Sequence, residues 1–423
     1  MNRRRTSRLD PLHVAEVRLG RAPQDPLQTA VVLEAWAGRT QVEALPEARR
    51  LRPAPVTELP RPPRRAESDN SVDVNEFLIL LAILASAFGW IRPLQRILDQ
   101  GLDAVIIWAL PLALGLDRAL RLRYLAIDTL RALSDELPRL NLAIAVVIGA
   151  VSFVSTPVLV GLCLVVIWGE AAVFVRRGWA WLYALLIVAT SLWFAIGGDE
   201  LVALVTCTAA VAVITNICAL GAEGDRPVLE PLSLTFASAL IGVSAGVIIT
   251  SDLDMWIGTD VPTAASVLFV SLTGWWASAR LATIWSELPD QLQQVRLRDR
   301  AGWTGVLVGG PVVEAVLRLA APTAAILVVY ALLGEWRTAG VVSGFAVLAL
   351  AMLLMGLVTS ARYWAQAAAL FVAGALVSVV MPYWWPGSTL LVGSSIPAIG
   401  AAIASARMMR HTAAVYATRM MIR

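Results

Sequence analysis

Long apolar runs alternate with short polar breaks over most of this sequence, from Val74 to the C-terminal end. A lipid bilayer is crossed by about 20 predominantly apolar residues in helical form, and only a helix or a closed barrel satisfies its own backbone hydrogen bonds in lipid. Hydrophobic residues make up 58% of the chain and charged residues only 15%. The sequence therefore predicts an all-α, polytopic integral membrane protein, with the lipid bilayer as its first partner.

The charges, prolines and glycines that separate the runs predict about twelve transmembrane helices. They cover approximately residues 76–91, 102–116, 140–155, 157–175, 179–196, 201–220, 228–250, 262–284, 314–334, 341–358, 364–381 and 389–406. The twelve divide into two six-helix halves, about 76–221 and 226–406, and a short basic tail ends the chain. The helical transmembrane domain is thus predicted over residues 73–423.

All 34 basic residues are arginines, which excludes every chemistry that needs a lysine. With the N-terminus inside, sixteen arginines fall in the inner loops and the C-terminal tail. The outer loops hold three, Arg92, Arg96 and Arg337. Cytoplasmic loops carry the excess of positive charge, so the pattern predicts a multi-pass protein of a bacterial-type cytoplasmic (plasma) membrane with both termini in the cytoplasm.

Residues 1–72 differ from the rest, with 13 arginines and a proline-rich stretch from Pro46 to Pro63. Such a composition cannot bury a core, so it predicts a disordered cytoplasmic tail. Two short patches, Leu12–Leu19 and Leu27–Trp36, are candidates for ordering on a cytoplasmic protein partner, and a solvated tether without a partner is the alternative. Nothing in the tail points to a nucleic-acid partner.

Few residues are suited to metal or catalytic chemistry. The two histidines, His13 and His411, lie outside the predicted spans, so no multi-histidine metal site is expected and no cofactor is predicted. The three cysteines, Cys163, Cys207 and Cys218, lie in apolar runs without a metal-binding spacing, and we interpret them as core residues. The sequence predicts no set of catalytic residues.

Charges within predicted spans are the strongest candidates for function, because an ionisable group is costly at membrane depth. Glu170 lies late in the fourth predicted span, shortly before Arg176 and Arg177. One interpretation is an ion pair with these arginines near the inner interface. The other is an acid that lines a cavity and binds a cation or a proton.

The eighth predicted span combines two adjacent tryptophans, Trp275 and Trp276, with Arg280. An arginine at this depth can extend its head group to the inner interface. If Arg280 instead faces inward, its planar guanidinium suits diphosphate oxygens, and the tryptophans offer surfaces for a sugar or a lipid. These three residues are candidate substrate-binding residues.

The ninth predicted span begins with Glu314 and Arg318, four residues apart in the order that favours a helical ion pair. They either satisfy each other or face a substrate cavity. In an outer loop, Asp252, Asp254 and Asp260 suggest a divalent-ion site or, more simply, solvated acids. Small residues at 238, 242 and 246 predict close helix packing in the seventh span.

Two long basic connections follow the second and eighth predicted spans, at 117–139 and from 285 to about 313. The first is amphipathic and is predicted to lie at the membrane interface, and both contain a similar run, Ser134-Asp-Glu-Leu-Pro138 and Ser286-Glu-Leu-Pro289. With the segments Leu120-Arg-Leu-Arg-Tyr-Leu-Ala and Ala282-Thr-Ile-Trp-Ser-Glu-Leu-Pro289, the arrangement resembles the flippases of the multidrug/oligosaccharidyl-lipid/polysaccharide exporter superfamily. The resemblance implies polysaccharide export at the cell envelope.

The resulting hypothesis is a transporter that flips a lipid-linked glycan or a similar amphiphile by alternating access. A flippase needs no covalent chemistry, which agrees with the lack of a catalytic residue set. Two alternatives stay open. One is an integral-membrane enzyme of envelope polysaccharide synthesis, such as a polymerase, ligase or glycosyltransferase, although the predicted outer loops are short for such an enzyme. The other is a membrane scaffold that recruits a cytoplasmic partner through residues 1–72.

Overall fold

A computed structural model gives the structure of the chain. It describes residues 26–37, 41–50, 70–99, 101–123, 130–152, 155–220, 232–253, 261–294, 300–360, 363–383 and 389–409. All regular elements in these ranges are helices, so the all-α prediction is confirmed for the described part of the chain.

The helices follow one another with short connections. In chain order they are α1 (Pro26–Ala37), α2 (Gln41–Arg50), α3 (Asn70–Gly89), α4 (Ile91–Leu98), α5 (Leu102–Arg123), α6 (Leu130–Ser152), α7 (Thr156–Gly169), α8 (Ala171–Arg177), α9 (Ala180–Ala195), α10 (Glu200–Leu220), α11 (Leu232–Thr250), α12 (Val261–Gln294), α13 (Arg300–Leu332), α14 (Trp336–Ser360), α15 (Trp364–Val380) and α16 (Thr389–Met409). A 3₁₀ turn, Met381–Tyr383, follows α15.

Six segments of the described chain are long and apolar enough to cross a membrane, and a bent pair, Val74–Gly89 with Ile91–Leu98, would be a seventh. The six are Thr156–Val175, Glu200–Cys218, Leu232–Thr250, Val312–Leu332, Trp336–Thr359 and Thr389–Arg407. These segments indicate a multi-pass membrane protein. A helix occupies most of each predicted span, but the number of twelve spans stays a prediction.

The predicted interfacial helix after the second span is divided between two longer helices. Helix α5 continues through Arg123, and α6 already begins at Leu130. The segment from Leu116 to Arg123 contains leucine, alanine and arginine and no proline or glycine, so nothing ends the helix at the predicted boundary. Residues 124–129, the middle of the predicted connection, lie outside the described residues.

The N-terminal segment contains two helices, α1 and α2. The first covers the patch Leu27–Trp36 that the sequence marks as a candidate for ordering, and the second lies where the composition predicted disorder. Helices α1 and α2 pack on each other, and their shared apolar cluster consists of Ala30, Leu33, Ala44 and Ala48. Small alanine side chains let the two helices approach closely, which a composition argument based on large apolar residues misses. Residues 1–25, 38–40 and 51–69 lie outside the described part of the chain.

The most extensive helix contact among the described residues joins α5, in the first predicted half, to α11, in the second. A Cβ added to Gly246 would lie 2.4 Å from Cα of Pro111, and one added to Gly242 would lie 2.2 Å from the carbonyl oxygen of Leu114. The Ser238 hydroxyl donates to the carbonyl oxygen of Arg118 at 3.0 Å. The predicted close packing through residues 238, 242 and 246 is confirmed.

Other contacts extend from this pair into each half. Helix α5 also packs on α7, and α11 packs on α15, while α3 contacts α12 across the two halves. In the second half, α16 packs on both α14 and α15. The first and second predicted halves are therefore joined through α5 with α11 and through α3 with α12.

Two polar pairs link neighbouring helices near their ends. Arg96, predicted in an outer loop, forms an ion pair with Glu200 at 3.0 Å. Ser266 and Tyr330 are hydrogen-bonded at 2.8 Å. These contacts place the pairs on a common side. Which side faces the cytoplasm stays a prediction.

Candidate functional site

Glu170 lies at a break between helices α7 and α8 and is completely buried. The break begins at Gly169, which lies against α5: a Cβ there would be 2.7 Å from Cδ2 of Leu116. Also on α7, just before the break, the carbonyl oxygen of Ile167 accepts a hydrogen bond from the Tyr183 hydroxyl of α9 at 3.0 Å. These contacts fix the backbone next to Glu170, so its carboxyl group lies inside the helix packing.

Polar side chains from two further helices meet this carboxyl group. The Thr215 hydroxyl of α10 donates to Oε2 of Glu170 at 2.6 Å. Nδ2 of Asn141, on α6, donates to Oγ1 of Thr215 at 3.4 Å and to Oδ1 of Asn216 at 3.2 Å. We refer to Glu170, Asn141, Thr215 and Asn216 as the Glu170 cluster.

Two acceptor atoms of the Glu170 cluster are buried without a hydrogen-bond partner. They are Oε1 of Glu170 and Oδ1 of Asn141. Buried acceptors are rarely left unsatisfied, since each costs about 1–3 kcal/mol. Among the described side chains, no arginine forms an ion pair with Glu170. The predicted partners, Arg176 and Arg177, have side chains outside the described residues.

The predicted pair of Glu314 and Arg318 forms an ion pair between Nη2 of the arginine and Oε1 of the glutamate, one turn apart on α13. The structure also brings Trp276 of α12 to this pair, with Cζ of Arg318 4.4 Å from the centroid of the indole ring. A cation over an indole face is attracted by the ring quadrupole. We refer to Arg318, Glu314 and Trp276 as the Arg318 cluster.

The Arg318 cluster lies on an exposed, otherwise apolar face of the helix packing. The side chains of Arg318 and Glu314 are 26% and 44% exposed. Val313 and Leu317, beside them on α13, are 57% and 59% exposed. The helix carrying these residues contains the candidate membrane span Val312–Leu332. The structure therefore places one accessible ion pair on an apolar surface.

Trp275, a neighbouring candidate of the eighth predicted span, does not join this cluster. Trp275 turns toward α3, where its ring lies 5.2 Å from that of Phe77. Its Nε1 is buried without a hydrogen-bond partner. Successive residues on a helix point about 100° apart, so the two adjacent tryptophans point from different faces of α12. Arg280 lies within α12, and its side chain is outside the described residues.

Asp252 has a structural role that the sequence did not indicate. It is 9% exposed, and its Oδ2 accepts a hydrogen bond from the backbone N–H of Leu390 at 2.7 Å. Its Oδ1 accepts one from the Thr389 hydroxyl. Asp252 thus caps the start of α16, a buried position that corrects the prediction of a solvated loop acid. Asp254 and Asp260 lie outside the described residues.

The described residues contain no group of three or more histidine, cysteine, aspartate or glutamate side chains that could hold a metal ion. The three cysteines are free and buried, as the sequence predicts.

A second charged cluster lies where α3, α5 and α14 meet, and its members Asp117, Arg118 and Arg121 belong to the connection that the sequence predicted as an interfacial helix. Nε of Arg121 contacts Oδ2 of Asp117 at 2.8 Å, and its Nη1 contacts Oε1 of Glu76 at 3.2 Å. Nη2 of Arg118 contacts the sulfur of Met352 at 3.1 Å. Two acids and two arginines balance in charge, so this cluster links helices without favouring an ionic ligand.

Comparison with known proteins adds no family to these observations. No protein-family model matches the chain, and no curated protein or solved structure matches it.

Proposed function

We propose that the protein is a membrane transporter that moves an anionic amphiphile across the bilayer, with a lipid-linked glycan as the substrate class. The observation that carries the proposal is the Arg318 cluster. An arginine stays charged at every physiological pH. Here it is accessible on a face of valine and leucine, in a helix apolar enough to span a membrane.

The chemistry of the Arg318 cluster suits a phosphate head group that carries an apolar tail. A guanidinium binds two phosphate oxygens with parallel hydrogen bonds. Trp276 lies behind the guanidinium and offers an aromatic face to a sugar or an acyl chain, while the exposed Val313 and Leu317 extend the apolar surface. In the proposed cycle, Glu314 neutralises Arg318 between transport events, and the head group replaces it.

The proposed movement is alternating access, in which the two predicted halves tilt against each other. The close approach of α5 and α11 supports this proposal, because a tight backbone contact provides a fixed axis while the outer helices change their contacts. The substrate would enter beside α12 and α13, which carry the Arg318 cluster. A flippase of this kind requires no covalent step.

The test is export of a labelled lipid-linked sugar by cells that express single variants. Arg318→Ala removes the charged contacts, each worth about 1.5–3 kcal/mol, so we expect substrate affinity to fall roughly ten- to a hundredfold at matched expression. Arg318→Lys should recover part of the loss, because lysine keeps the charge without the planar fork. Export by Arg318→Ala at the wild-type rate would overturn the role of this cluster.

Two control variants separate substrate binding from folding. Arg96→Ala breaks another accessible ion pair, with Glu200, and should leave export unchanged. Glu314→Gln removes the competing carboxylate while keeping the shape of the side chain, so we expect export to be kept or increased. If Arg318 served only to neutralise Glu314, a double variant with Arg318→Ala and Glu314→Gln would export at the wild-type rate. That result would exclude a substrate-binding role for Arg318.

One alternative, the scaffold, gains support from α1 and α2, since a packed helix pair is a suitable docking element. Deletion of residues 1–72 discriminates between the two functions. A transporter should keep most of its export without this segment, whereas a scaffold should lose its activity.

A further inference from the structure

We propose that the backbone carbonyl oxygen of Arg318 is a second ligand contact of the Arg318 cluster, where it accepts a hydrogen bond from a hydroxyl group on the sugar of the ligand. The residue that makes this oxygen available is Pro322. The inference rests on the proposed function, because it takes the phosphate of the same ligand to bind the Arg318 guanidinium.

Pro322 lies inside α13, four residues after Arg318. In an α-helix the carbonyl oxygen of one residue accepts a hydrogen bond from the backbone N–H four residues later. Proline has no backbone N–H, so this bond cannot form at Pro322. The carbonyl oxygen of Arg318 therefore lacks its regular helical donor.

The neighbouring side chains of α13 do not replace this donor. The Thr323 hydroxyl donates to the carbonyl oxygen of Leu319 at 2.7 Å. The Arg318 guanidinium is directed to Glu314, one turn back along the helix. Ala321, just before Pro322, has no polar group in its side chain. None of the described hydrogen bonds of α13 thus reaches the carbonyl oxygen of Arg318.

Two contacts set the register between α12 and α13. Trp276 lies against the Arg318 guanidinium, and the Ser266 hydroxyl is hydrogen-bonded to that of Tyr330. The residue numbers rise along one helix as they fall along the other, so the two helices are antiparallel. Residues 272–274 of α12 consequently lie level with the turn that contains the proline.

This part of α12 also offers no free donor. Leu272 and Gly274 have no polar side chain. The hydroxyl of Thr273 donates to the carbonyl oxygen of Val270 on its own helix at 2.8 Å. The described part of α12 therefore does not complete the hydrogen bonding of α13 at this level.

The depth of this acceptor indicates that a ligand pairs with it. Pro322 is the middle residue of the 21-residue candidate span Val312–Leu332. An unpaired backbone acceptor is unfavourable at membrane depth, where water is scarce. Ala321 is exposed and its side chain is small, which leaves the backbone beside it accessible from outside the helix packing. A ligand hydroxyl supplies the donor that the described residues do not.

The spacing of the polar groups suits a phosphate joined to a sugar. The ion pair of Glu314 with Arg318 lies on one side of the Arg318 backbone, and the turn of Pro322 lies on the other, about 5.4 Å further along the helix. A sugar attached to the phosphate covers this distance, and Trp276 offers an aromatic face beside it. A lipid phosphate without hydroxyl groups would use the guanidinium alone.

The test measures binding of two lipids to the purified full-length protein in nanodiscs. Both are polyprenyl phosphates with one hexose on the phosphate, and in the second lipid the hexose hydroxyls are methylated. The two have the same charge and tail and differ in their hydrogen-bond donors. One neutral hydrogen bond should favour the free hexose about two- to tenfold in the wild type.

Pro322→Ala supplies the backbone N–H, which then occupies the carbonyl oxygen of Arg318 within the helix. We expect the preference for the free hexose to disappear, while the methylated lipid binds as tightly as it does to the wild type. The ratio of two affinities in one variant does not depend on the fraction of folded protein. A structural defect alone would weaken both lipids and leave the ratio unchanged.

Two control variants should keep the preference. Thr323→Val removes a different hydrogen bond from the same turn and leaves the proline in place. Pro138→Ala replaces another proline inside a helix, in α6.

Two results would overturn the inference. One is a wild-type preference that persists in Pro322→Ala, and the other is equal binding of the two lipids by the wild type. The proposed function is judged separately by Arg318→Ala in the same assay. Weaker binding of both lipids supports it, and unchanged binding of both would contradict it.

Discussion

Substitution of Gly246 by alanine tests the contact between α5 and α11 on which the arrangement of the two halves depends. The added Cβ would lie 2.4 Å from Cα and 2.8 Å from the backbone nitrogen of Pro111. Carbon atoms in contact are normally about 3.5–4.0 Å apart, so the helices must separate by more than about 1 Å at this point. Both atoms belong to the backbone, and no change of rotamer relieves the overlap.

The expected loss of stability follows from these distances. Overpacking of a helix interface costs about 1–3 kcal/mol, and a backbone clash falls at the upper end of that range. Alanine regains about 1 kcal/mol through its higher helix propensity. We therefore expect Gly246→Ala to lower the free energy of unfolding by about 2 kcal/mol net.

A matched glycine provides the control. Gly356 lies within α14, and a Cβ there would meet no atom within 4 Å. Gly356→Ala should therefore gain about 1 kcal/mol from helix propensity alone. The assay is unfolding of both purified variants in the same detergent. If Gly246→Ala were as stable as Gly356→Ala, the direct backbone contact between α5 and α11 would be refuted.

Two further substitutions test buried polar contacts by thermal unfolding. The Ser86 hydroxyl accepts a hydrogen bond from Nε1 of Trp168 at 2.9 Å, so Ser86→Ala leaves a buried indole N–H unpaired and should cost about 1–3 kcal/mol; unchanged stability would contradict this contact. Asp252→Ala removes the buried cap of α16 and should cost roughly 1–2 kcal/mol. Asp199→Ala, at an exposed cap where Oδ1 accepts from Val202, should cost less, and the reverse order would argue against the Asp252 contact.

The helices themselves were largely predictable from the sequence, because apolar runs broken by proline, glycine and charge give a strong signal. The lengths of the helices were less predictable. Helix α12 continues to Gln294 and α5 to Arg123, past the positions where the charges predicted an end. Charged residues do not stop a helix that leaves the membrane, so composition marks the lipid boundary and not the end of the helix.

The N-terminal segment shows a limit of composition arguments. Its charges and prolines predicted disorder, yet Ala44 and Ala48 pack against Ala30 and Leu33. Helix α2 even contains Pro46. A small helix pair can be held by alanines that carry little weight in a count of large apolar residues.

The candidate sites were predictable only within a single helix. Glu314 and Arg318 could be paired from their spacing, and Glu170 could be selected as a charge in an apolar run. The partners were not predictable, since Trp276 reaches Arg318 through the packing of α12 on α13. Asn141 and Thr215 likewise reach Glu170 from other helices. Polar residues inside apolar runs were the available signal for them, and their convergence required the fold.

The proposal that the protein moves a lipid-linked glycan is tested by reconstitution. The purified protein is placed in liposomes that contain a fluorescent lipid-linked glycan, and the fraction of label reached by an impermeant quencher is followed over time. We expect label from the inner leaflet to become accessible in vesicles with the wild-type protein, and far more slowly in vesicles with Arg318→Ala. Accessibility equal to that of protein-free vesicles, with the protein folded and inserted, would contradict it.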